Sequence, residues 1–274
     1  MVCPHHPGLA GLCLSLLCAL AMAVRADPSQ DAGLRSDLLR LSHRRIFFGH
    51  QSVGMNLLDG VREIAGRYPD VPFRVIEAPA GAELPEGSLA HAYMTENGKP
   101  GLKLENFDRA LSSGIGSVVD VAFVKFCYID FSSMTDVPRL FARYQATLSE
   151  LRARYPRIVF VHVTAPLTTV QGGPKAALKR LLGRVPAGVA ENAKREEFNE
   201  LLRRTYQGKE PVFDLARLES TEPDGRRELH EWNGGKVPAL LAANSDDGGH
   251  LNDKARLRFA RELIALLAAL PQVP

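Results

Sequence analysis

Arg45-Ile46-Phe47-Phe48-Gly49-His50-Gln51-Ser52-Val53-Gly54 is the stretch on which the architecture turns. Residues 45–49 form a short apolar run rich in β-forming side chains, closed by glycine and polar residues, and this predicts a strand. From 53 to about 67 the pattern changes to that of an amphipathic helix. Ser52 stands at the junction. A strand that hands over directly to a helix is the opening half of a βαβ unit.

The same alternation continues outward. Strands are predicted at 73–77, 118–126, 157–163 and 212–215. The third of these five, VVDVAFVKF, is apolar on both faces and therefore belongs in the middle of a sheet. Helices are predicted at 137–155, where Leu140, Tyr144, Leu148 and Leu151 recur at helical spacing, at 191–205 and at 253–270. A shorter one is expected at 107–113. Residues 78–105, rich in Gly, Pro and Glu, read as a long functional loop, and 164–190 and 216–249 as irregular insertions. Strand–helix alternation implies right-handed crossovers. The expectation is one α/β domain over 27–274, a three-layer α/β/α sandwich around a mainly parallel five-stranded sheet.

Composition narrows the class further. The chain has 274 residues, of which 45% are hydrophobic, enough for one buried core. A net charge of +3 is too small to argue for nucleic acid or an anionic membrane surface as a partner. Residues 8–23 form an apolar run of signal-peptide length, followed by small residues suited to signal peptidase. Residues 1–26 are therefore read as a cleaved leader, with an exported (periplasmic or extracellular) protein and no stable membrane insertion afterwards. An uncleaved anchor is the rival reading. Three of the four cysteines, Cys3, Cys13 and Cys18, fall in that leader and only Cys127 remains, so an internal disulfide is excluded.

Two clusters carry chemistry. Asp246-Asp247-Gly248-Gly249-His250-Leu251-Asn252 lies just before the last helix. An Asp three residues ahead of a His, in a glycine-loosened turn, can hold one imidazole nitrogen and leave the other facing a substrate. Ser52 is the matching nucleophile candidate, at the C-terminal edge of the first strand beside the free N–H groups of a helix start. Its plainer reading is a helix N-cap.

These blocks resemble those of the SGNH/GDSL hydrolase superfamily. FFGHQSVG stands where the family's first block has Gly-Asp-Ser, and DDGGHLNDKAR matches its closing Asp-x-x-His block. The resemblance spans about residues 44–270, with its specific motifs at the two ends. It implies Ser52, Asp247 and His250 as the catalytic residues, a flavodoxin-like strand order 2-1-3-4-5, and hydrolysis of esters, often acetyl esters of a carbohydrate or a lipid. It also implies oxyanion donors from a Gly after the second strand and an Asn after the third. Gly98 and Gly101 are the candidates for the first, with Gly101 preferred. No Asn follows the third strand; Cys127 falls near that place, and Lys125 could stabilise negative charge instead. His50 is a candidate substrate contact or a structural hydrogen-bonding group. No metal and no cofactor are expected, since His50, Asp247 and His250 lack a metal-ligand spacing.

Other readings stay open on the residues alone. A glycan-binding protein with little or no catalysis would use the edge loops, with Trp232 as a stacking platform. A cysteine hydrolase would pair Cys127 with His250. The Lys/Arg set in 174–184 reads as a solvated helix face.

Overall fold

A computed structural model describes residues 28–78, 83–182 and 184–271. The expected leader lies outside the described residues. Helix α1 (Pro28–Leu41) leads into strand β1 (Arg45–His50), helix α2 (Val53–Ala65) and strand β2 (Arg74–Glu77). Then come β3 (Ser88–Tyr93), α3 (Pro100–Ser112), β4 (Val121–Val124), α4 (Val137–Arg154) and β5 (Val159–Val163). The chain continues through α5 (Gly173–Leu181), α6 (Val189–Tyr206), β6 (Val212–Phe213) and α7 (Leu215–Ser220). A hairpin, β7 (Leu229–Trp232) and β8 (Gly235–Pro238), precedes the last helix α8 (Asp253–Ala269).

The sheet has six strands in the order β2-β3-β1-β4-β5-β6. Each neighbouring pair is parallel. Side chains alternate across it with the period of two that strand geometry dictates. Ile46, Phe48, Val121, Phe123, Val161 and Val163 enter one apolar layer with α1, α2 and α8. Phe47, Ala90, Ala122, Val124 and Phe160 enter the other with α3, α4 and α6. That two-sided burial makes the sheet the middle layer of a three-layer sandwich.

Strand number and order differ from expectation at one place. Ser88–Tyr93 is a strand, not loop, and it sits between β1 and the strand read as second in the sheet, which is pushed to the edge. With β3 in second place the remaining strands follow the flavodoxin-like order. SLAHAY carries no β-branched residue, so its strand character comes from the neighbours that pair with it on both sides. The two insertions also hold regular structure. In the second, Asn233 (φ 47°) and Gly234 (φ 76°) make the tight turn of the β7–β8 hairpin, as an Asn-Gly pair readily does. No helix among the described residues is long and apolar enough to cross a membrane.

The two ends of the polypeptide are brought together by α2 packing on α8. Gly60 makes this approach possible, because a β-carbon there would meet the Arg256 carbonyl oxygen at 2.6 Å and Ala260 Cβ at 2.7 Å. Buried Leu57, Leu58, Val61 and Ile64 on α2 share the same apolar layer as Phe259, Leu263, Ile264 and Leu267 on α8. The helix that follows Ser52 and the helix that follows His250 are therefore packed directly against each other.

Candidate active site

Ser52 is held in an unusual backbone conformation, φ 48° and ψ −106°. For a residue with a β-carbon such geometry costs on the order of 1–3 kcal/mol and persists only where surrounding contacts impose it. Two of those contacts are visible. Gln51 Nε2 donates to the Met94 carbonyl at 3.0 Å. Gly54, in the first turn of α2, lies so close to the His50 ring that any β-carbon there would overlap it. The Ser52 hydroxyl makes no helix-capping hydrogen bond. It is hydrogen-bonded instead to His250 Nε2.

The histidine is oriented by its own turn. His250 Nδ1 lies 2.6 Å from Asp247 Oδ2. Asp247 Oδ1 accepts the backbone N–H groups of Gly249 (2.9 Å) and His250 (2.8 Å). The His250 ring together with these two donors holds the Asp247 carboxyl well below the usual carboxylate range. An ionised Asp247 accepts from Nδ1–H, so Nε2 is the nitrogen left to take a proton from serine. Asn252 caps α8 by accepting Ala255 N–H at 3.0 Å, and Asn56 of α2 accepts Leu251 N–H at 3.2 Å. Those two bonds tie the turn to both helices. The site is open, with 43% of the His250 side chain and 57% of the Asp247 side chain exposed.

Tyr128 completes the constellation, and the sequence reading did not single it out. Its ring meets His250 edge-on, with centroids 5.8 Å apart and planes at 74°. The phenol lies beside Ser52, and burial raises its pKa above the ordinary value, keeping the O–H protonated as a donor. The turn carrying it is braced from beneath. Arg195 Nε and Nη2 donate to the Tyr128 carbonyl at 3.1 and 2.9 Å. Asp130 accepts from Cys127 N (2.7 Å), Gly98 N (2.8 Å) and Lys103 Nζ (2.8 Å). The Lys103–Asp130 pair is fully buried. The sequence offers only a polar-tipped aromatic in the loop after a central strand, a pattern too common to single it out.

The remaining candidates occupy other places. His50 is fully buried under the Ser52 turn. Arg62 Nη2 donates to His91 Nε2 at 2.9 Å, so His91 carries its proton on Nδ1 and donates to His50 Nε2 at 3.1 Å. His50 is thus neutral with its proton on Nδ1, a buried atom with no partner among the described residues. Burial first, then His91, Lys125 and Arg62, push the His50 pKa down to about 3. Lys125 is also fully buried; its ammonium donates to the Phe126 carbonyl at 2.8 Å, and burial lowers its pKa to about 8. Cys127 is a buried free thiol. Its backbone N–H is held by Asp130, while His250 Nε2 is engaged by Ser52. Gly101 lies in the first turn of α3 against the Arg143 guanidinium, and the Gly98 N–H is taken by Asp130. The structure therefore brings Ser52, Asp247 and His250 together, sets His50, Lys125 and Cys127 in the buried layer near them, and places Gly101 in a helix-packing contact. Among the described residues, no group of three or more His, Cys, Asp or Glu is arranged to hold a metal ion.

No protein-family model matches the chain, and no curated protein matches it in sequence. Several solved structures are similar to it. A protein from Streptococcus pneumonia, provisionally described as a platelet activating factor, is 15% identical with a TM-score of 0.48, over 86% of this chain and 92% of that one. A protein from Desulfitobacterium hafniense, provisionally described as lipolytic and of the G-D-S-L family, is 10% identical with a TM-score of 0.45, over 81% and 98%. A third, from Slackia heliotrinireducens and provisionally described as an SGNH hydrolase, is 15% identical with a TM-score of 0.44, over 80% and 95%. The likeness is one of fold.

Proposed function

We propose that this chain is a serine esterase of the SGNH/GDSL type that removes O-acyl groups, such as acetyl, from a carbohydrate or related ester. The observation that carries the reading is the continuous hydrogen-bonded line Ser52–His250–Asp247. A substrate carbonyl carbon at Ser52 Oγ is attacked as His250 Nε2 takes the hydroxyl proton, and Asp247 stabilises the imidazolium that forms. The carbonyl π electrons move onto oxygen. Two donors are available to that oxyanion: the Tyr128 hydroxyl, and the Ser52 N–H, which has no hydrogen-bond partner among the described residues. Collapse expels the alcohol, which receives the proton from His250, and leaves an acyl-serine. Water, deprotonated by the same imidazole, attacks that ester; the acid departs and the Ser52 hydroxyl is restored.

In this reading the Tyr128 hydroxyl, one residue beyond Cys127, does the work that the resemblance assigns to an Asn, as a single phenolic donor set beside the nucleophile. The buried neutral His50 supports the strained Ser52 turn from below. Export through a cleaved leader at residues 1–26 belongs to the same proposal, and N-terminal sequencing of the mature protein tests it. For the activity, turnover of p-nitrophenyl acetate is measured with wild type and Ser52→Ala. The esterase reading requires turnover that disappears in the variant. Glycan binding that survives Ser52→Ala, in a chain without turnover, would instead establish the non-catalytic reading.

A further inference from the structure

The excursion between β5 and α6 has its amphipathicity turned outward. Residues 171–187 leave and return at a narrow base, where Gln171 N–H donates to the Ala187 carbonyl at 3.0 Å. That base is fastened to the catalytic turn, since Thr169 N–H donates to the Gly248 carbonyl at 2.8 Å. On α5 the side chain packed inward is the small Ala176, fully buried. The large ones point the other way. Leu178 is 56%, Leu181 83% and Leu182 61% exposed. Leu178 and Leu181 are three residues apart and share one helical face. A soluble helix normally buries such a face, and a cluster of exposed leucines marks a surface that something covers.

Charge indicates what covers it. Residues 171–187 contain Lys175, Lys179, Arg180 and Arg184 and no Asp or Glu, although the chain as a whole is nearly balanced. Lys179 is tethered to Gln171 Oε1 at 2.7 Å, while Lys175 and Arg184 are exposed. Leucines projecting between exposed cations are the chemistry of a short helix that lies in a lipid interface, its apolar side chains among the acyl chains and its cations against anionic headgroups. A second apolar rim lies on the loop that carries Tyr128, where Ile129 and Met134 are exposed. The triad itself is open to solvent on the same sheet edge, so a substrate held in a surface could reach it without entering a deep cleft.

We infer that α5, with Leu182 just beyond it, is a docking surface for anionic lipid, seating Leu178, Leu181 and Leu182 in the interface so that Ser52 faces esters presented there. The inference rests on the esterase reading for its purpose and adds where the acyl ester is met, at the surface of an anionic membrane or lipid aggregate. The contact is peripheral and reversible and needs no spanning segment.

The test is co-sedimentation of the full chain with vesicles of equal parts phosphatidylglycerol and phosphatidylcholine, beside vesicles of phosphatidylcholine alone. Wild type, Leu181→Glu/Leu182→Glu and Lys175→Gln/Arg184→Gln are compared, with thermal unfolding and p-nitrophenyl acetate turnover measured for each. The expected result is binding to the anionic vesicles only, weakened by added salt. Binding should fall about tenfold or more in the Glu variant, and by less in the Gln variant. Folding and soluble-ester turnover should be unchanged. Wild type and both variants are compared with the same N-terminus, as N-terminal sequencing defines it, so a loss confined to the variants belongs to this surface. Wild type that stays in the supernatant, binds both vesicles alike, or binds as well after the Glu substitutions overturns the inference. So does a Glu variant that merely turns a dimer into a monomer on size exclusion, which would make the occupant a second copy of the chain. A chain that docks without turnover keeps this inference and loses the esterase reading; one that turns over ester without docking does the reverse.

Discussion

At the residue scale the account depends on how few groups share the work around Ser52. Asp247 sets the imidazole tautomer through a 2.6 Å contact, so Asp247→Asn, which presents a donor to Nδ1, should lower kcat by about 10⁴-fold with little change in KM. Tyr128→Phe keeps the ring against His250 and removes only the hydroxyl. Steady-state kinetics should show kcat reduced by about 10²-fold at nearly constant KM if that hydroxyl donates to the oxyanion. An unchanged kcat would leave the Ser52 N–H as the donor and give Tyr128 a packing role. The meeting of Ser52 with the Asp-x-x-His block was legible in the sequence because both lie in short local motifs. The role of Tyr128 was not, since it arises from a turn fixed by Arg195, Lys103 and Asp130, which are remote from it or only meaningful once folded. Gly101 shows the opposite failing: a glycine at a plausible sequence position is used for close packing on Arg143.

At the element scale, the decisive contact is α2 on α8. Substituting Gly60 by Ala sets a methyl 2.6 Å from a backbone oxygen, which no side-chain rotation can relieve. The helices must separate. Gly60→Ala should therefore destabilise the fold by about 1–3 kcal/mol in urea unfolding and lower kcat as well, because the same separation draws Ser52 from His250. Unaltered stability would mean that the two helices are less closely seated than described. The long helices at α4, α6 and α8 were legible to within two residues because their apolar stripes persist over four or five turns. Strand β3 was not, since SLAHAY has neither alternation nor β-branching, and only pairing with β1 and β2 makes it extended. The β7–β8 hairpin did carry a readable signal, the Asn233-Gly234 pair, within a segment whose overall composition reads as loop.

At the scale of the whole molecule, a parallel sheet gathers the loops that follow β1, β4 and β5 on one edge, where the turn before α8 joins them, and the sandwich protects the polar groups beneath. One consequence is a pH-dependent stability. The buried His50 has its pKa lowered from 6.5 to about 3, so the unfolded chain takes up a proton that the folded chain refuses. Its stabilising contribution is complete above pH about 6.5 and is lost as pH falls toward about 3, with a limiting slope of about 1.4 kcal/mol per pH unit. Urea unfolding across that range should show the decline. His50→Gln, compared with wild type, should make it shallower, the remainder coming from His91, His162 and Asp247, whose pKa values are also lowered; parallel profiles would place the titration elsewhere. The doubly wound frame was legible in advance because alternation of strand and helix is a chain-long pattern, whereas the edge position of β2 depends on β3 and was not.

The most direct test of the central claim, that Ser52 and His250 act as one unit across the sheet edge, is peptide mapping after treatment of the folded protein with a fluorophosphonate. The account predicts a single adduct on the peptide containing Ser52, absent from His250→Ala. An adduct on another residue, or none on folded wild-type protein, would contradict it.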